Sequence, residues 1–405
     1  MDYEEAIDWL FGTQTFGIKL GLDGPRNLLK ECLAFPAHGV QVAHVAGTNG
    51  KGSTCAMMDS VARACGRRTG LFTSPHLIDY RERMRVSGLM IPKERCAELL
   101  TEVRAVCERL EVHPTFFEIS LAVAMRWFRE RDCELIILET GMGGRLDATT
   151  AVPADVCVIS PIGLDHMQWL GDTLGKVAAE KAGIFLEGVP AVSSPQDTEA
   201  KLVLEKEANE RRTPLDFIGA PLEGYGIGLA GEHQKWNAAL ALAALHKLGM
   251  RLGYESVVEG LGKVSWPGRF ERILSEGTEV ILDGAHNPHA AKVLRQTWLA
   301  EIGGGKGTLL FGAVESKDVS GILAELAGLT ARMIFCKVGT MRGLPVEDLL
   351  HALPEGAEAD CHGNFHDAME AARKHGGPVL VAGSLYLVGE ARAELLGGEF
   401  LASAQ

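Results

Sequence analysis

The sequence predicts an α/β fold with a mostly parallel sheet, divided into two domains. Strand-like runs alternate with helical stretches along almost the whole 405-residue chain, the pattern expected of βα units. Several of those runs are apolar on successive residues, as expected where helices cover both faces of a sheet. One of them, QVAHVA (41–46), leads directly into a glycine-rich turn and then into STCAMMDSVARA, whose apolar residues recur with helical spacing.

In chain order, QVAHVA is the first clear strand, followed by CELIILE (133–139) and DVCVIS (155–160). WNAALALAALHKLG (236–249) and a short segment at 255–262 read as helices. Pro267 and Gly268 in VSWPGRFE (264–271) then punctuate the chain, and a fresh β-first series begins with EVILDG (279–284), TLLFGAV (308–314), ARMIFCKV (331–338) and PVLVAG (378–383). The expected domains are therefore residues 1–265 and 266–405, both within usual domain sizes. No internal repeat or low-complexity segment is present. GGGKGTLLFG (303–312) precedes a strand rather than a helix and reads as a plain turn.

With 46% hydrophobic and 23% charged residues, the chain can build a core. A net charge of −13 with no Lys/Arg run argues against nucleic acid or an anionic membrane as partner. The acidic start MDYEEAIDWLFG lacks a signal pattern, and no apolar run is long enough to span a bilayer. Nine scattered cysteines, without a CxxC pair, suit reduced thiols in the cytoplasm.

The stretch HVAGTNGKGST (44–54) carries the chemistry. It is a compressed relative of the GxxxxGK[ST] phosphate loop. Gly47, Gly50 and Gly52 allow backbone angles and close approach that a Cβ would block. The amides from Gly47 through Thr48, Asn49, Gly50, Lys51, Gly52, Ser53 and Thr54, at a positive helix end, suit phosphate oxygens. Lys51 can neutralise β/γ charge, and Ser53 can offer a hydroxyl to Mg²⁺. CELIILE delivers Glu139 at its carboxyl end, where a parallel sheet places magnesium ligands. DVCVIS runs into PIGLDHMQWLG, so Asp165 and His166 are expected at the same edge.

Taken in order, HVAGTNGKGS, LFTSPHL, YRERMRVSG, LETGMGGRLDATT, GLDHMQWLGDTLGKVAAEKAGIF, GEHQKWNAALAL, WPGRFE, LDGAHNPHA and VAGSLYLVGEAR resemble the folylpolyglutamate synthase/dihydrofolate synthase family, relatives of the Mur ligases. The resemblance spans almost the full chain. It implies a P-loop-type, mostly parallel sheet domain followed by a smaller Rossmann-like α/β domain. The activity it implies is ATP-dependent, ADP-forming ligation of L-glutamate to dihydropteroate and folates through an acyl phosphate, in the cytoplasm and as a monomer.

The resemblance also implies roles for residues. Ser53 and Glu139 match ligands of a first magnesium ion, and Ser74, Glu139 and His166 match ligands of a second. Lys51, His166 and Lys181 are the catalytic candidates, with Lys181 matching a lysine that is carbamylated in the family. Gln234, Asn237, Arg269, Asp283 and His286 match nucleotide contacts. Phe117, Asp147 and Ala148 match the pterin side, Arg83 and Arg85 are candidates for anionic glutamyl tails, and Ser384 with His286 for the incoming glutamate. Thr150 departs from the family's usual Asn. Three alternatives remain open from sequence: a monofunctional folylpolyglutamate synthase, a Mur-type ligase acting on a UDP-sugar peptide, and a nucleotide-dependent binding module without ligase chemistry.

Overall fold

The computed structural model describes residues 1–400 apart from Ile18, Leu20 and Glu399. Eight strands come first: β1 (Gln41–Ala46), β2 (Thr69–Phe72), β3 (Met84–Val86), β4 (Leu89–Met90), β5 (Leu135–Glu139), β6 (Val156–Ile159), β7 (Ala191–Ser193) and β8 (Leu215–Phe217). They form one sheet in the order β4-β3-β2-β5-β1-β6-β7-β8. It is parallel from β2 to β8, and β3 and β4 are added antiparallel at one edge.

The central strands are buried on both faces because their alternate residues enter different cores. Val42, Ile136 and Leu138 pack among helices Tyr3–Gly12, Asp23–Glu31, Lys93–Cys107 and Phe116–Glu130. Ala43, Val45, Leu135 and Ile137 pack among helices Lys51–Ala64, His233–Lys247 and Tyr254–Gly262. Each fully buried Leu, Ile or Val side chain contributes about 1.5–3 kcal/mol, so such double-sided strands anchor the sheet. The phosphate-loop helix approaches its neighbour closely: a Cβ at Gly260 would lie 2.6 Å from the Val61 Cα.

A second sheet contains β9 (Glu271–Ser275), β10 (Thr278–Leu282), β11 (Thr308–Phe311), β12 (Arg332–Cys336), β13 (Asp360–His362) and β14 (Val379–Ala382), ordered β13-β12-β11-β14-β10-β9. Only β9 is antiparallel, forming a hairpin with β10. Its helices cover both faces. All seven strands expected from sequence are present, most trimmed by one to three residues. The expected helix at 236–249 starts three residues earlier, at His233. The glycine-rich stretch before β11 is a turn, with positive φ at Gly303, Gly305 and Gly307.

Candidate active site

Strand order brings the three sequence signals to one place. β1 lies between β5 and β6, so the loop after β1 is flanked by the carboxyl ends of both neighbours. Val45 pairs with Glu139 and Ala46 with Ile159. Glu139 therefore stands level with a residue two positions before the first loop glycine. In a parallel sheet this end is the ligand crevice.

The loop itself is tightly fitted. Gly47 has φ +148°, and a Cβ there would lie 1.9 Å from the Ser160 Oγ. Gly50 is left-handed, and its Cβ would meet the Asn237 Oδ1 at 2.7 Å. Helix Lys51–Ala64 starts with no side-chain cap, so its first N–H groups are free of intrahelical partners and face the crevice. One expectation is corrected here. The Thr48 and Asn49 amides both donate to the Pro161 carbonyl, at 2.9 and 3.1 Å. They are held by the chain, and the amide cradle begins at Gly50.

A cavity of about 570 Å³ opens above the loop. From the first sheet it is lined by residues 47–53, Ser74, Glu139, Asp165, His166 and Lys181. Gln234 and Asn237 come from the first turns of helix His233–Lys247, Arg269 from the segment before β9, and Asp283 and His286 from the loop after β10. Glu139 is buried and accepts the Ser74 N–H at 3.2 Å. Burial raises its carboxyl above the ordinary value, while Lys51, the Ser74 amide and Arg269 pull the other way. Lys181 is buried and donates from Nζ to the Gly47 carbonyl at 2.7 Å. Burial, with the Lys51 charge beside it, pulls the Lys181 ammonium down to about 7.

Asp283 accepts the Phe270 and Ala285 N–H groups, both at 2.9 Å, so it organises its own turn while facing the cavity. Gln234 and Asn237 are buried and joined at 2.9 Å. Asp165 receives Lys317 Nζ at 2.6 Å and faces His286 Nε2 at 3.3 Å. Burial would raise its carboxyl, but the bond to His286 and the charges of His286 and Lys317 outweigh this and hold it well below the usual range.

Seven expected site residues do not line the cavity, among them Arg85, which lies in a smaller cavity beside it. Thr54 is fully buried in the helix, with its N–H on the Gly50 carbonyl. Arg83 is fully buried rather than solvated. Its Nε donates to the His76 Nδ1 at 2.8 Å, and its guanidinium stacks over Phe116. Ser384 caps helix Leu385–Leu396, accepting the Tyr386 N–H. Phe117 stands behind the wall: a Cβ at Gly141 would touch its ring at 2.9 Å. The TFFE run that contains it is a capping box between Thr115 and Glu118. Asp147 is buried and accepts the Met142 N–H at 2.9 Å, holding the cavity loop from behind, with the buried Ala148 beside it. Thr150, at the family's Asn position, donates to the Gly144 carbonyl at 2.6 Å.

Sequence reasoning missed Thr140–Gly143, His233, Phe270 and His289 in the lining. It also missed Lys317, which follows the carboxyl end of β11 by six residues. The strand-edge rule that selected Asp165 also applies there.

The donor set fits a magnesium–triphosphate. Among the described residues no group of three His, Cys, Asp or Glu gathers as an all-protein cage. One buried carboxylate with serine hydroxyls is what Mg²⁺ uses when phosphate oxygens complete its shell, while the lysine pairs with the phosphates.

Residues 45–214 match the Mur ligase middle domain, and residues 268–385 match the Mur ligase glutamate ligase domain. A Bacillus subtilis dihydrofolate synthase/folylpolyglutamate synthase is 32% identical, over 97% of this chain and 99% of the relative. The chain belongs to the dihydrofolate synthase/folylpolyglutamate synthase family. Among solved structures of this family, E. coli FolC in complex with DHPP and ADP superposes with a TM-score of 0.89 at 32% identity, covering 97% of this chain and 98% of that one. A bifunctional folylpolyglutamate synthase/dihydrofolate synthase with Mn, AMPPNP and L-glutamate bound gives a TM-score of 0.87 at 30% identity, covering 96% and 98%.

Proposed function

We propose that the chain joins L-glutamate to dihydropteroate and to reduced folates, using ATP and releasing ADP and phosphate. The observation that carries this reading is the register of β1 on β5, which sets Glu139 beside the phosphate loop in one cavity that Arg269, Asp283 and His286 also line. A carboxylate is a poor acyl donor at neutral pH. Transfer of the γ-phosphoryl group to a carboxylate oxygen of the pterin acid gives an acyl phosphate and ADP. The amino nitrogen of L-glutamate then attacks the carbonyl carbon, the C–O bond to phosphate breaks, and the nitrogen loses a proton to leave an amide.

Lys51 and the amides from Gly50 onward hold the β- and γ-phosphates while charge spreads over the transferring group. Ser53 and Glu139 would hold one Mg²⁺, and Ser74, Glu139 and His166 a second; bound there, the metal would neutralise phosphate charge. Gln234, Asn237, Asp283 and His286 hold the nucleoside, and Arg269 reaches the phosphates from the opposite side. Lys181 is carbamylated: with its ammonium drawn down to about 7, a large share is neutral amine at neutral pH, the form that adds to carbon dioxide. Residues 1–265 and 266–405 act as two lobes closing on the nucleotide, and Asp147 and Ala148 support the pterin side.

The enzyme works as a monomer in the cytoplasm on small-molecule substrates. The acidic net charge and nine unpaired cysteines support this setting. Among the described residues no helix is long and apolar enough to cross a membrane.

The test is ADP release at saturating glutamate with dihydropteroate, tetrahydrofolate or neither. Stimulation by both acids is expected. Stimulation by tetrahydrofolate alone would make the enzyme monofunctional, and stimulation by neither would reject the reading. A Mur-type GKT loop is disfavoured by Gly52: a Cβ there would lie 2.8 Å from the Trp266 Nε1.

A further inference from the structure

A second, small cavity of about 40 Å³ opens beside the main one and shares Ser74, Glu139 and Arg269 with it. Arg85, on β3, lines its far side. Its surroundings are unusual for a guanidinium. Among the described residues Arg85 makes no ion pair and no hydrogen bond, and its Nε is buried without a partner. Glu82 lines the same cavity, but its two oxygens already accept the Leu77, Ile78 and Asp79 N–H groups at 2.9–3.0 Å. The one group that engages Arg85 is Trp266, with the guanidinium carbon 5.4 Å from the ring centroid. That contact orients the guanidinium, worth about 0.5–2 kcal/mol, but leaves the N–H donors unused. Burial lowers the Arg85 pKa from its ordinary value, with the charges of Glu82 and Asp59 opposing it from beyond hydrogen-bond distance. A buried guanidinium N–H without a partner costs stability unless an acceptor meets it.

The cavity limits what that anion is. Roughly 10–15 Å³ suffices for one water, so the space takes about three small atoms. That is the size of a carboxylate end-group entering from the main cavity, and too small for a whole ligand. Glu139 at the shared rim repels a dianion more than a monoanion.

We propose that Arg85, held over Trp266, is a binding residue for a substrate carboxylate entering this side cavity. The inference rests on the ligase reading, which offers two sources for the group: the incoming L-glutamate, or the glutamyl tail of a folate acid. A bidentate guanidinium–carboxylate pair supplies both energy and direction, so Arg85 would fix how the glutamyl group lies relative to the reacting centre.

The experiment compares wild type with Arg85→Met, which keeps the stem over Trp266, and Arg85→Lys, which keeps the charge without the fork. ADP release is followed with dihydropteroate and with monoglutamyl tetrahydrofolate at varied L-glutamate. A rise of about 10- to 100-fold in the KM for L-glutamate with both acids is expected for Arg85→Met. Hydroxylamine trapping of the acyl phosphate, run without glutamate and at saturating dihydropteroate, which carries no glutamyl tail, reports the step in which Arg85 takes no part and should persist. A rise confined to the KM of the monoglutamyl acid would assign the carboxylate to the tail and also support the site. Unchanged KM values for both, a rise confined to ATP, or loss of trapping would overturn it. If Arg85→Met does not fold, Arg85→Lys decides on the same readouts. If wild type released ADP with neither acid, the ligase reading would fail by itself. Calorimetric binding of L-glutamate to the ADP-bound protein would then decide the site: weaker heat in the variants supports it, and none from wild type, or equal heat in all, overturns it.

Discussion

Glu139 is a carboxylate with almost no water around it, at the tip of β5 and beside Lys51. A group in that position weakens the fold unless something cationic uses it. Glu139→Gln keeps the shape and removes the charge. Its kcat should fall about 100- to 1000-fold, while the melting temperature should stay within about 2 °C or rise. Parallel loss of both would show that Glu139 is structural. Lys181 is subject to the same logic with the opposite charge. Its ammonium is drawn from 10.5 to about 7 by burial and by Lys51. Between those values the unfolded chain holds a proton that the folded chain has lost, so stability rises with pH across that window. Below about pH 7 both states are protonated and the cost is fully present. In carbon-dioxide-free buffer, Lys181→Met should therefore raise the melting temperature more at pH 6 than at pH 9. Added bicarbonate should restore ADP release to the wild type and not to the variant. Activity indifferent to bicarbonate would remove the carbamate from the mechanism.

At the scale of elements, the phosphate loop works because its glycines are pressed against neighbours. Gly47→Ala would drive a Cβ into Ser160 at 1.9 Å with φ at +148°. The expected loss is about 2 kcal/mol or more in stability, together with ADP release. Near-normal turnover would mean that the loop rearranges freely and does not grip phosphate. This element was legible because an apolar strand, three glycines and a helix start are a local signal. The same holds for the seven expected strands, whose continuous apolar runs reflect burial on both faces. β2, β3, β4, β7, β8 and β13 were not legible: they are runs of two to four residues, one of them containing Gly70, without a long apolar run around them. β9 was missed because its ERILS is an edge strand with a single buried residue. Arg83, Phe117 and Ser384 mark a different limit. Their positions in sequence blocks are informative, but which way a side chain turns is decided by packing. Arg83 turns inward to His76 and Ser384 downward to cap its helix. Lys317 shows the converse: its place beyond the carboxyl end of β11 was legible, but its partner, Asp165 from the other sheet, was not.

That pairing acts on the whole molecule. Asp165 belongs to the loop after β6, whereas Lys317, His286 and Asn287 all follow strands of the second sheet. Lys317 Nζ lies 2.6 Å from Asp165 Oδ1, and both side chains are about 10% exposed, at 10% and 9%. Asn287 adds a bond to Asp165 at 3.3 Å and another to Asn49 in the phosphate loop at 3.0 Å. None of these bonds lies within one sheet's own packing, so separation of the two sheets would break them jointly. Removing one partner of a buried pair leaves the other charge uncompensated, at about 3–5 kcal/mol. That cost disappears if the crevice opens and water reaches Asp165. Lys317→Met should therefore shift the molecule toward an open form without melting either lobe. Small-angle scattering should show a larger radius of gyration for the ligand-free variant, reversed by a non-hydrolysable ATP analogue. The KM for ATP should rise about tenfold, because part of the binding energy goes into closing the lobes. The double variant Asp165→Asn/Lys317→Met, with no orphaned charge, should recover part of both effects. Unchanged scattering and an unchanged KM would show that closure is governed elsewhere, with the connecting segment at Trp266 the next element to test.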